Sequence, residues 1–162
     1  MAIAAVLVIA AGIYFATKNN APNPNQANNS FVQYQDQTNG AKFFHNKDWQ
    51  VTNSYGFSRL QIPSAGPTQF LQISYLPTMS QLSELKFGLA SNSKIQVGSK
   101  DLEMVIKETQ WQMPAGQSSI TTKTAYYLWT VDNRKILIQV DPSQDPLSDD
   151  MKKVIETLQL GL

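Results

Sequence analysis

The side chains of this 162-residue chain that could do chemistry are few: one histidine, three tryptophans and an aspartate cluster near the end. His45 is the single imidazole, with Asp48 shortly after it. Nucleophilic catalysis needs a serine or threonine beside a base that a carboxylate orients. No Gly-x-Ser-x-Gly turn occurs, so His45 reads as a solvated turn residue rather than a base. Asp141, Asp145, Asp149 and Asp150 crowd the segment DPSQDPLSDD. Calcium favours several carboxylates, but this spacing is not that of an EF-hand loop. Helix capping accounts for Asp145, Asp149 and Asp150 without a metal. Trp49, Trp111 and Trp129, with Tyr126 and Tyr127, could stack on a sugar or a peptide. Tyr127 and Trp129 share one strand face and Tyr126 the other, so one of these faces is core. The candidate ligand-binding residues are therefore His45, Trp49 and Trp111, and none carries a catalytic, metal-binding or cofactor role. No phosphate loop, dinucleotide fingerprint or His-Glu-x-x-His motif is present, and no cofactor is expected.

Composition narrows the classes further. Thirteen Lys and Arg stand against twelve Asp and Glu, a net charge of +1, which argues against nucleic acid as a partner. The absence of cysteine removes disulfides, thiol catalysis and thiolate zinc sites. Charged residues make up only 15% of the chain, and amides and hydroxyls supply its polarity. That surface chemistry suits an extracytoplasmic protein.

Three segments must position these residues. Residues 1–17 contain the uncharged run AIAAVLVIAAGIYFA from Ala2 to Ala16. As a helix it covers about 22 Å, against about 30 Å of bilayer hydrocarbon. Being apolar on all sides, it is expected to anchor the chain in a lipid bilayer through residues 2–17; a signal peptide and a buried or assembly helix are the alternatives. Residues 18–30, KNNAPNPNQANNS, read as an Asn/Pro-rich linker.

Residues 31–162 read as one folded domain. Strands are expected at Phe31–Tyr34, Ala41–Phe44, around Leu60 and Ile62, and at Phe70–Tyr75. Thr78 and Gln81 form a capping box ahead of a helix with Met79, Leu82, Leu85 and Leu89 on one face. Alternation over Asp101–Glu108 points Leu102, Met104 and Ile106 inward, with a bulge expected near Thr109. Ser119–Val131 and Lys135–Val140 form a hairpin about Asp132-Asn133. A last helix carries Leu147, Met151, Val154, Ile155 and Leu158 as an apolar stripe. The fold class is α+β: an antiparallel β-sheet covered by helices, preceded by an N-terminal apolar helix.

The segment Gly40–Val51, GAKFFHNKDWQV, resembles the opening signature of the PsbP-like domain, in which Gly40, Phe43, Lys47, Asp48 and Trp49 fit. Asn46 stands where that pattern usually has proline, and His45 where an aromatic is common. KVIETLQL is similar to the family's closing helix. The resemblance implies an αβα sandwich around an antiparallel sheet and does not imply an enzyme. The combined expectation is a single-pass membrane protein whose extracytoplasmic domain binds a cell-envelope protein as a non-catalytic accessory. A structural subunit of a surface assembly, packed through its N-terminal helix, is the first alternative. A carbohydrate-binding or hydrolytic module is the second.

Overall fold

The computed structural model describes residues 30–63, 69–111, 119–143 and 147–161. The described elements fall in the unit from Phe31 to Leu162. Three strands, β1 (Phe31–Asp36), β2 (Ala41–Asn46) and β10 (Gln159–Leu160), form a small sheet in the order β1-β2-β10. Seven more form a large sheet: β3 (Gln50–Ser54), β4 (Phe57–Ile62), β5 (Gln69–Ser74), β6 (Ser93–Val97), β7 (Lys100–Trp111), β8 (Ile120–Val131) and β9 (Arg134–Asp141). Their order is β3-β4-β5-β9-β8-β7-β6, and neighbours pair antiparallel throughout. Two helices, α1 (Met79–Glu84) and α2 (Asp149–Thr157), complete an α+β fold of antiparallel sheets packed against helices.

Local chemistry explains these elements. Leu71 and Ile73 of β5 and Ile136, Ile138 and Val140 of β9 alternate with polar or outward residues and are buried on one face. Asp132 and Asn133 take φ of 47° and 60°, the left-handed pair that a two-residue hairpin between twisted strands requires. Ser148 caps α2 by accepting from the Met151 amide at 3.3 Å, and Asp149 and Asp150 put negative charge in its first turn. The α2 stripe (Met151, Val154, Ile155, with Leu147 and Leu158 flanking it) is buried in one cluster with Phe43 of β2 and the inner face of the large sheet.

The carboxyl end of α2 has no basic residue of its own in the last turn. Lys100 supplies one from β7: its Nζ donates to the Glu156 carbonyl at 2.5 Å and lies 5.0 Å from the Trp129 ring centroid. A cation there compensates the helix dipole and satisfies a carbonyl left without an intrahelical donor. Leu82 and Leu85 are buried outside the main cluster, as are Leu128 and Leu137. The latter two pair across β8 and β9 and face away from it.

Several expectations change. The Gln50–Ser54 strand went unread because it is a short, mostly exposed edge with no alternation. The first helix stops at Glu84: Lys86 turns left-handed at φ 54°, so Leu89 leaves the stripe and is exposed, as is Met79. No bulge interrupts β7 near Thr109, since the register runs unbroken from Leu102↔Trp129 to Trp111↔Ile120. Asn46 earns its place where proline was expected. Its Oδ1 accepts from the Asp48 amide at 3.0 Å, its carbonyl from Trp49 at 3.0 Å, and its Nδ2 donates to Asp150 at 2.8 Å. One side chain thus shapes the β2–β3 turn and pins it to α2.

The membrane expectation is corrected. Among the described residues no helix is long and apolar enough to cross a membrane. The helices have six and nine residues, roughly 9 and 14 Å at 1.5 Å per residue, and α2 is apolar on one face only. A single-pass protein with an extracytoplasmic domain, and a lipid bilayer as partner through residues 2–17, are therefore not supported. The run from Ala2 to Ala16, the linker 18–30 except Ser30, and assembly through that run lie outside the described residues.

Lys100→Met keeps the stem and removes the donor. It is expected to lower the unfolding free energy by about 1–2 kcal/mol, read by urea denaturation. An unchanged midpoint would mean that the Glu156 carbonyl does not depend on Lys100.

Candidate functional site

The site begins with a buried carboxylate. Asp36 ends β1 and is 0% exposed. It accepts five hydrogen bonds: from the Thr38 and Asn39 amides at 2.9 and 3.0 Å, Asn39 Nδ2 at 2.8 Å, Asn53 Nδ2 at 3.2 Å and Ser58 Oγ at 2.5 Å. Because Ser58 spends its proton on Asp36, the Tyr75 hydroxyl donates to Ser58 Oγ, at 2.9 Å. Burial alone would raise the Asp36 pKa. The bonds from Asn39, Ser58 and Asn53 outweigh it and hold the carboxyl below its ordinary 3.8. Burial first, and then the nearby Asp36 charge, push Tyr75 upward, so both groups keep a fixed protonation state near neutrality.

Asn39 carries the network outward to the two-residue turn between β3 and β4. Its Nδ2 donates to the Ser54 carbonyl at 2.9 Å, and its Oδ1 accepts from the Gly56 amide at 2.7 Å. The Gly56 carbonyl in turn accepts from the Tyr75 amide at 2.8 Å. Gly56 sits at φ 88°, a conformation that a side chain would strain. The backbone of Tyr55 is thus held on both sides.

The network walls one side of a cleft of about 580 Å³. Tyr75, Leu82, Ile136 and Leu160 line it, with Arg134 and Lys135 beyond the β8–β9 turn. Tyr55, Leu76 and Met79 line it too, and they are 81%, 61% and 74% exposed. Among the described residues these are the three most exposed large apolar side chains. Met79 follows the N-cap Thr78, whose capping box is complete: the Gln81 amide donates to Thr78 Oγ1 at 3.2 Å and the Thr78 amide to Gln81 Oε1 at 2.9 Å. Arg134 Nη1 donates to the Gly161 carbonyl at 3.3 Å. Gly161 donates its own amide to Gly40.

None of the sequence candidates lines this cleft. His45 points from β2 into the core at 6% exposure, not into solvent as expected. Its Nδ1–H donates to the Asn46 carbonyl at 2.7 Å, and Tyr34 and Phe43 flank its ring. Burial lowers its pKa from 6.5, with the Asn46 bond opposing, so the ring is neutral at pH 7. Trp49 is 8% exposed and belongs to the main core. A hollow of about 470 Å³ beside it includes Asp48 and Asp150, but Asp150 already accepts from Asn46. Trp111, 58% exposed, ends the β7–β8 ladder opposite Ile120, and its Nε1 donates to Thr122 Oγ1 at 3.2 Å. Among the described residues no three His, Cys, Asp or Glu side chains converge to hold a metal ion.

Sequence reasoning missed the cleft because its parts come from separate segments. In sequence, Asp36 to Gly40 is turn chemistry between two short strands, and Met79 is part of a helix stripe. The one available signal was the Ser54-Tyr55-Gly56 turn, which sets an aromatic where turns favour small polar residues.

No protein-family model and no curated protein matches the chain. Solved structures resemble its fold. A crystal structure from Bacteroides thetaiotaomicron VPI-5482 aligns with a TM-score of 0.50 at 14% identity, over 82% of this chain and 49% of that one. The chain therefore spans about half the length of that protein. The solution structure of cyanobacterial PsbP (CyanoP) from Synechocystis sp. PCC 6803 aligns with a TM-score of 0.47 at 12% identity, over 88% of this chain and 99% of that one. At such identities a likeness to solved structures bears on the fold alone, and neither alignment establishes membership of a family.

Two pH responses follow. The folded pKa of Asp36 lies below its unfolded value, so its stabilisation is complete above pH 3.8 and is lost as pH falls through the folded value. Asp36→Asn is expected to be less stable than the natural chain at pH 7 by about 2–4 kcal/mol, in urea titrations. That gap should close on strong acidification; a gap independent of pH would refute a role for the charge.

His45 responds in a second way, through the burial that lowers its pKa. Below pH 6.5 the unfolded chain takes up a proton that the folded core resists, so stability declines as pH falls toward the lowered folded value. His45→Phe should flatten the difference in urea midpoint between pH 7 and pH 5, and an identical pH slope in both proteins would rule this out.

Proposed function

We propose that the chain is a non-catalytic accessory domain, related in fold to PsbP-like proteins, that holds a protein partner through the cleft beside Tyr55. One observation carries the reading: the three most exposed large apolar side chains of the described residues gather around one concavity on fixed backbone. Isolated apolar side chains on a surface need no explanation, whereas a cluster rimmed by polar groups marks an interaction surface. Tyrosine and methionine are enriched at such surfaces. The Gly40–Val51 motif supports the PsbP-like side of the reading, and the domain limits 31–162 are part of the same proposal.

A protein partner fits the rim better than a small molecule does. Small ligands bury most of their own surface in a concave site. Side chains as exposed as Tyr55, Leu76 and Met79 are covered only by something that lies across the rim. Nor does the cleft's lining include a serine or an imidazole: His45 is buried elsewhere, and Ser58 is fully buried.

The test is the double variant Leu76→Ser/Met79→Ser in the full chain. Both residues are exposed, so stability should change by less than about 0.5 kcal/mol at each site. Cross-linking in cells of the source organism should join the natural chain to a discrete protein through residues at the cleft. That product should disappear for the variant while its urea midpoint stays put. An identical cross-linked product in both chains would sink the proposal.

A further inference from the structure

The cleft carries charge of one sign. Its lining includes Arg134 and Lys135 and no aspartate or glutamate. Both cations are exposed, and among the described residues neither forms an ion pair with a carboxylate. Arg134 uses one N–H on the Gly161 carbonyl, which orients the guanidinium. The carboxylate behind the wall, Asp36, is fully buried and already takes five hydrogen bonds. Asp132, in the turn before Arg134, does not line the cleft. The chain as a whole is nearly neutral at +1, so this pairing of two cations with an apolar rim is local and does not follow from composition.

We infer that the partner presents an acidic, apolar segment: large apolar side chains that seat among Tyr55, Leu76 and Met79, next to a carboxylate that meets Arg134 and Lys135. This rests on the cleft being the binding surface and adds the chemistry of what it binds. Apolar contact alone would accept many sequences. A carboxylate beside the apolar side chains fixes register and direction, because a basic segment in the same place would be repelled. Arg134 can take a carboxylate with two parallel N–H bonds, whereas Lys135 adds a point charge. Charges on a rim act mainly on encounter rate and selectivity, so binding should weaken as salt shortens the screening length.

The test uses short synthetic peptides with the same two leucines and one phenylalanine, the remaining positions being all glutamate, all glutamine or all lysine. Octanoate serves as a small amphipathic carboxylate. Binding is followed by amide chemical shifts of the full-length, isotope-labelled chain. The glutamate peptide should bind about tenfold more tightly than the lysine peptide, with shifts centred on Tyr55, Leu76, Met79 and Arg134, and should weaken with added salt. Arg134→Glu/Lys135→Glu should reverse that order. Lys135→Glu alone, which breaks no hydrogen bond to the Gly161 carbonyl, should narrow the gap and guards against a folding artefact. Equal affinity for all three peptides at the cleft would overturn the acidic inference and leave the apolar binding surface standing. Peptide shifts elsewhere, or no peptide binding, would remove both. Saturable binding of octanoate alone would replace a protein segment with a small amphiphile as the occupant.

Discussion

The buried carboxylate of Asp36 is the constraint on which the candidate site depends. Removing an ionised carboxylate from water is costly, and the cost is offset only where hydrogen bonds replace its hydration. Here five bonds converge on it from the β1–β2 turn, from β3 and from β4. No buried side-chain polar atom among the described residues lacks a partner. The small and large sheets are separate ladders, so no backbone pairing between strands joins β1 to β4. Asp36 and Asn39 make that join with side chains. Its consequence is felt at the surface, where the turn bearing Tyr55 is held from below by Asn39 and from the side by the Tyr75 amide.

A second join sits at the other end of the small sheet. Thr157 ends α2 and accepts from the Phe44 amide at 2.9 Å, beyond the reach of β10, which pairs only with Lys42 and Ala41. Lys100 ties the same helix end to β7. The closing helix is thus fastened at its start by Asn46 to Asp150 and at its end by Thr157 and Lys100, with the apolar stripe between. The division of labour is physical. Apolar burial supplies most of the stabilisation and is indifferent to small shifts, whereas the directional polar contacts fix how the layers register. The cleft lies where the first polar network reaches the surface.

Much of this was legible in the sequence where a single element decides the outcome. The α2 stripe, the Thr78–Gln81 capping box, the Asp132-Asn133 turn and the alternation in β5 and β9 each follow from local periodicity or turn chemistry. Asp36 was legible only as a turn residue. Its five donors come from four residues spread between Thr38 and Ser58, and nothing in the spacing shows that they converge. Met79 misled for a related reason: it keeps helical spacing with Leu82, but as the first helical residue it stands on the rim rather than in the core. His45 and Trp49 misled in the opposite sense. Rare, chemically able residues drew a functional reading, yet β2 alternation puts His45 beside Phe43 on the inner face.

The same features bound the strength of what the cleft can do. Its rim is assembled from one residue of the β3–β4 turn, one residue after β5 and the first residue of α1, so its apolar surface is narrow. Stable protein interfaces bury about 1,200–2,000 Å² in total, and smaller ones belong to transient encounters. A cavity of about 580 Å³ admits a few side chains of one segment, not the face of a folded partner. Fixed backbone lessens the ordering cost of such a contact, because hydrogen bonds already hold the Tyr55 turn and the α1 start in place. On the proposed reading, a segment seated in this cleft is held selectively and reversibly rather than in a permanent complex. Tighter association would need a second surface working together with the cleft.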